Sequence, residues 1–143
     1  MYVKQISIFV ENKKGRLAEI TKLLGESGID ISALSIADTT DFGILRLIVN
    51  RPAEAAALLK EQGFAVKETE VIAIGVSDTP GGLACALDAL DETGIGIEYL
   101  YAFVGKGGDQ ALVIIRVEDP PKALEALQKN GVKVLTSEQV YSL

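Results

Sequence analysis

The chain has 143 residues, which fits one domain of ordinary size or two very small ones. Its net charge of −6 and pI near 4.7 argue against a nucleic-acid partner, because phosphate recognition needs clustered Lys and Arg. One cysteine excludes an internal disulfide framework, and with no histidine the commonest general base and metal ligand is missing, so no metal or cofactor is expected.

Along the chain, Ile6, Ile8 and Val10 alternate with Gln5, Ser7 and Phe9, the period of a strand. A polar turn at Asn12 to Gly15 follows. Leu17, Ile20, Leu23 and Leu24 then recur at three and four, the stripe of an amphipathic helix, and Gly28 stands where a helix-stopping glycine belongs. Ile31 to Ile36 and Gly43 to Val49 read as strands joined by the polar turn Asp38-Thr39-Thr40-Asp41. Asn50-Arg51-Pro52 opens a second helix that Gly63 ends, and Ala65 to Val76 is a long strand.

The order then repeats. A helix is expected from Pro80 to Thr93, closed by Gly94. Strands follow at Ile97 to Val104 and Gln110 to Val117, around the turn Gly105-Lys106-Gly107-Gly108. Asp119-Pro120-Pro121 caps a helix stopped by Gly131, and Lys133 to Tyr141 is expected as the last strand. No run of about 20 apolar residues occurs, so no membrane span is expected. The first residues read directly as a strand without a signal peptide's apolar core, which points to the cytoplasm.

Strand–helix–strand–strand–helix–strand, twice over, is the ferredoxin-like βαββαβ unit. The fold class is therefore α+β: two such units in tandem, residues 1–69 and 70–143, with antiparallel sheets and both helices on one face. Units this small are marginal alone, so the halves are expected to pair as a pseudo-dimer. Several strands are apolar on both sides, so the face away from the helices should be partly apolar too.

The repeat also marks a site. Asn12-Lys13-Lys14-Gly15-Arg16-Leu17 returns sixty-six positions later as Asp78-Thr79-Pro80-Gly81-Gly82-Leu83, and Gly28-Ile29-Asp30-Ile31 returns as Gly94-Ile95-Gly96-Ile97. The glycines leave backbone N–H groups open at a helix N-terminus, where a carboxylate is favoured. Asn12 or Asp78 beside them could accept from an ammonium group, so the pair suits a zwitterion. The same residues are also plain capping chemistry, with Pro80 near the first helical position and Asp78 or Thr79 as cap. Spacing alone favours that second reading.

Taken together, these loops and their element order resemble the ACT domain family in two tandem copies over essentially the whole chain. The resemblance implies a regulatory module that binds an amino acid between paired domains, using the first loop of one and the second strand of its neighbour. Carried over by position, Asn12, Gly15, Arg16 and Leu17 would hold a ligand with Gly96, Ile97 and Glu98. Asp78, Thr79, Pro80, Gly81, Gly82 and Leu83 would hold another with Asp30, Ile31 and Ser32. The first loop departs from the family pattern, with Lys14 where proline is usual and Asn12 where an acid is usual. Two unequal sites, or a single working one, follow. Lys13, Lys14 and Arg16 also make that loop basic, open to an anion or an acidic partner.

Other candidates carry less. Cys85, between Ala84 and Ala86, reads as a small packing residue with no histidine to activate it. The Gly105 to Gly108 stretch lacks the full phosphate-loop spacing. Tyr99, Tyr101 and Phe103 alternate on one strand face, the mark of core or interface. The expectation is a non-catalytic protein that binds an amino acid effector, regulates a separately encoded metabolic enzyme, and forms a homodimer. The alternative is a constitutive interaction subunit without its own ligand. The first fifty residues resemble the acetohydroxyacid synthase small subunit, but the second copy of the loop counts against that family.

Overall fold

The computed structural model describes residues 2–38, 41–105 and 107–143, so Thr39, Thr40 and Lys106 of the two expected turns lie outside the described residues. The chain divides into two compact units, one over Lys4–Thr69 and one built mainly from Glu70–Tyr141.

The first unit contains β1 (Val3–Glu11) from Lys4 onward, α1 (Arg16–Glu26), β2 (Ile31–Asp38), β3 (Phe42–Val49), α2 (Pro52–Glu61) and residues 65–69 of β4 (Ala65–Ser77). Its strands lie in the order β2–β3–β1–β4, with β3 antiparallel to both of its neighbours. Alternation places Ile6, Ile8 and Val10 on the same side as Leu45, Leu47 and Val49. These close a core with Ile20 and Leu24 of α1 and Leu59 of α2. Both helices therefore cover one face, as the crossover rule requires.

The second unit repeats the plan with residues 70–77 of β4, then α3 (Gly82–Asp91), β5 (Ile97–Ala102), β6 (Gln110–Val117), α4 (Pro120–Lys129), β7 (Lys133–Val134) and α5 (Ser137–Tyr141). Its strand order is β7–β4–β6–β5. Ile72, Ile74, Val113 and Ile115 face Leu90 and Leu127 in the core. On the faces away from the helices, Ala33 and Ile48 in one unit and Ala73 and Ile114 in the other are buried, so this surface is partly apolar as expected.

The duplication extends to irregularities of the backbone. Gly15 and Gly81, which precede α1 and α3, both hold left-handed conformations, with φ of 89° and 86°. The pairing of β2 with β3 slips between Ile31 and Ala33, and that of β5 with β6 slips between Ile97 and Tyr99. A reciprocal clamp fixes each second strand. The Asn50 side chain accepts from the Asp30 N–H at 3.0 Å while the Asn50 N–H donates to the Asp30 carbonyl at 3.2 Å. In the second unit Glu118 does the same with Gly96, at 3.3 and 3.1 Å. Asn50 and Glu118 are sixty-eight positions apart rather than sixty-six, because the second hairpin is two residues longer.

Two expectations are corrected. The last strand is not Lys133 to Tyr141: pairing with β4 stops at Val134, and α5 follows. The cause is a capping box at Thr136 and Gln139. The Thr136 hydroxyl accepts from the Gln139 N–H at 3.2 Å, and the Gln139 side chain accepts from the Thr136 N–H at 2.8 Å. The third helix starts at Gly82 rather than Pro80, because the left-handed Gly81 stands at its N-cap.

Candidate functional site

Each first loop brings its strand into a helix whose N-terminus no side chain caps. At α3 neither Asp78 nor Thr79 is the cap, which corrects the capping assignment made from spacing. The Thr79 hydroxyl is within 2.8 Å of the Ser77 hydroxyl instead. The Gly82 N–H donates to the Thr79 carbonyl at 3.0 Å and the Cys85 N–H to the Gly81 carbonyl at 3.1 Å. By position, the N–H groups of Leu83 and Ala84 have no acceptor within the helix. By contrast, Asp119 caps α4 by accepting from the Lys122 N–H at 3.2 Å.

Gly82 has a second role. A Cβ at this position would collide with the Ser77 carbonyl oxygen, so the loop closes onto the strand end only because the residue lacks a side chain. In the first unit Arg16 occupies the matching position.

Charge separates the two loops. The first turn of α3 contains no acid, whereas that of α1 contains Glu19, which pairs with Arg16 at 3.1 Å. Lys13 pairs with Glu11 at 2.8 Å. Hydrogen bonding to Lys13, and then its positive charge, hold the exposed Glu11 carboxyl below the usual carboxylate range. Two of the three cations that made the first loop look basic are thus matched by its own acids.

Asn12, Arg16 and Leu17 line one cavity of about 90 Å³ together with Ile36 and Leu45. Gly15 is exposed beside it. In the second unit Thr79, Pro80, Gly81 and Gly82 line a groove of about 460 Å³. Asp78 faces a separate cavity of about 260 Å³, with Phe103 and Gln110. Leu83 is half-buried against the core.

The second-strand residues lie elsewhere. Glu11 pairs opposite Phe42 while Ile31 pairs opposite Val49, so within the first unit loop and triplet sit at opposite ends of the sheet. Ser77 with Gln110, and Ile97 with Val117, give the same separation in the second unit. Seven residues of strand span roughly 23 Å, too far for one amino acid to bridge. Neither unit by itself therefore brings loop and triplet together. Asp30 is exposed and Ser32 buried; Gly96 is half-buried and Ile97 exposed. The Glu98 carboxylate is bound to Arg116 at 3.2 Å, and Arg116 also donates to the Glu70 carbonyl at 2.8 Å.

Cys85 is exposed and lines the second-unit groove, so it is not the packing residue expected. Gln110, Asn130, Val132 and Lys133 complete that groove, and sequence reasoning passed over them. Their signal is the repeat itself, once it is followed past the second hairpin. Tyr99 and Tyr101 stack with ring centroids 6.5 Å apart, in keeping with a packing role. Among the described residues no group of acids and cysteines is arranged to hold a metal, and no helix is long and apolar enough to cross a membrane.

A family model described as an ACT domain pair matches residues 1–143. Among solved structures, a protein of Bacteroides thetaiotaomicron is similar over 100% of this chain and 98% of its own, with 43% identity and a TM-score of 0.93. The regulatory subunit of aspartate kinase from Thermus thermophilus, in its ligand-free form, shares 22% identity over 89% of this chain and 91% of its own, with a TM-score of 0.62. That of Thermus flavus shares 19% over 90% and 92%, with a TM-score of 0.60. No curated protein matches the chain.

Proposed function

Because the chain belongs to the ACT domain pair family, we propose that it is a non-catalytic regulatory protein that binds an amino acid at the loop of residues 78–83. The observation that carries this reading is the bare N-terminus of α3. It has no side-chain cap and no acid in its first turn, and it borders a groove of about 460 Å³. Partial positive charge and unpaired N–H donors there suit a carboxylate. Asp78, on the other side of the loop, is the acid for the ammonium group. The second-strand triplet of a paired domain closes the pocket.

The first loop is the weaker site. Asn12 replaces the acid, and Arg16 stands where the second loop needs glycine. The chain acts on a separately encoded enzyme by linkage: a ligand that favours one arrangement of the domains shifts its partner's equilibrium by the difference in affinity. The regulatory subunits among its structural neighbours support that role. We assign the protein to the cytoplasm and to a homodimer on the same reading.

Thermal melts with each of the twenty amino acids test it. A ligand at a hundred times its dissociation constant adds about 2.7 kcal/mol of stability. One or a few amino acids should raise the melting temperature, and Gly81→Val should abolish that rise. Silence from all twenty would leave the second reading, a constitutive interaction subunit. The large exposed side chains Phe9, Phe42 and Ile36 of the first unit favour that alternative.

A further inference from the structure

The groove beside the second loop has a counterpart in the first unit, residue for residue. Gly75, Gly82, Gln110 and Val132 in one correspond to Phe9, Arg16, Phe42 and Phe64 in the other, at the sixty-six-residue offset before the longer hairpin and sixty-eight after it. The same fold thus carries the same groove twice. Three phenylalanines and an arginine line it in the first unit, at about 360 Å³, whereas two glycines, a glutamine and a valine leave about 460 Å³ in the second. Both volumes lie within the range of small-molecule pockets, so lining and charge rather than size separate the two grooves.

The two grooves also differ in charge. Glu11 and Arg16 line the first. Among the described residues no acid lines the second, although the chain as a whole carries a net charge of −6. Lys133 lines it and takes part in no ion pair among the described residues. The Gln110 carboxamide lies over the bare backbone of Gly75, its Oε1 only 2.7 Å from where a Cβ would stand. The Asn130 amide is tied back by donating to the Ala126 carbonyl at 2.8 Å. A lysine or arginine side chain entering this groove would meet a cation and no counter-charge. A carboxylate or carboxamide would meet an ammonium group and a carboxamide able to donate.

Resting on the ligand reading of the 78–83 loop, we propose that this groove is the side-chain subsite of that ligand. It selects an amino acid with an acidic or carboxamide side chain. Val132 keeps the groove open and Lys133 supplies its charge. The first-unit groove, lined by Phe9, Phe64 and the acid Glu11, does not suit such a side chain.

Melting curves with aspartate, glutamate, asparagine, glutamine, lysine, arginine and leucine test the proposal. An acidic or carboxamide member should raise the melting temperature while lysine, arginine and leucine leave it unchanged. Val132→Phe installs the residue that the first unit already accommodates at the matching position, so it should melt like the parent without ligand and lose the response. Lys133→Met, at an exposed position, should weaken an acidic ligand about tenfold, the loss of one charge-assisted hydrogen bond. Phe64→Val should leave the ligand's affinity unchanged. A response to lysine, arginine or leucine without one to the acidic or carboxamide set would overturn the subsite. So would an undiminished response in both Val132→Phe and Lys133→Met. Silence from every amino acid would remove the ligand reading of the loop, and the subsite with it.

Discussion

Gly81 and Gly82 are neighbours held by different constraints. Gly81 occupies the left-handed region at φ 86°, where alanine costs roughly 1–2 kcal/mol. Gly82 has ordinary helical geometry, but a Cβ there would strike the Ser77 carbonyl, and overpacking of that kind costs about 1–3 kcal/mol. Urea denaturation should show both alanine variants destabilised; a Gly82→Ala protein as stable as the parent would contradict the close approach. Asp78 and Asp119 form a second contrast. Asp119 caps α4, so Asp119→Ala should lose about 1 kcal/mol. Asp78 caps nothing, so Asp78→Ala should stay within about 0.5 kcal/mol of the parent while weakening the ligand response. Equal losses of stability in the two variants would restore the capping role for Asp78. The left-handed glycine was legible from its place in the turn. The contact of Gly82 was not, because it depends on where the preceding strand ends, and the matching Arg16 shows that the fold alone does not demand it.

Most element boundaries could be read from side-chain chemistry. Pro52 and Pro120 open their helices as expected, and the chain turns at Gly63 and Gly131 in left-handed conformations, with φ of 88° and 73°. The end of the chain reads as strand because Val134 and Leu135 have strand character, and a β-rich run outweighs a signal four residues long. Thr136 and Gln139 satisfy each other's backbone N–H groups, which turns the segment into a helix. Thr136→Ala should therefore cost about 1 kcal/mol in chemical denaturation. A variant as stable as the parent would mean that packing of Val140, not the cap, holds α5 in place.

At the scale of the molecule, the duplication was legible because both copies keep one register through the first loop, first helix and second strand. Past the second hairpin the register shifts by two residues, and that shift hid the counterparts of Phe42 and Phe64 at Gln110 and Val132. A loop is contiguous in the sequence, whereas a groove is assembled from three separate elements. The drift of the first loop is therefore one part of a wider difference: two of its three cations are paired, its groove is lined by phenylalanines and an acid, and its helix start carries an acid. The second unit keeps the bare helix start and the open groove. The central claim is that an amino acid binds at the second loop and not the first. Following backbone amide resonances by NMR during titration with the amino acid that stabilises the protein tests this most directly. Gly81, Gly82 and Leu83 should shift in a saturable manner while Gly15, Arg16 and Leu17 stay in place. Movement confined to Gly15, Arg16 and Leu17, or no movement in either loop, would contradict it.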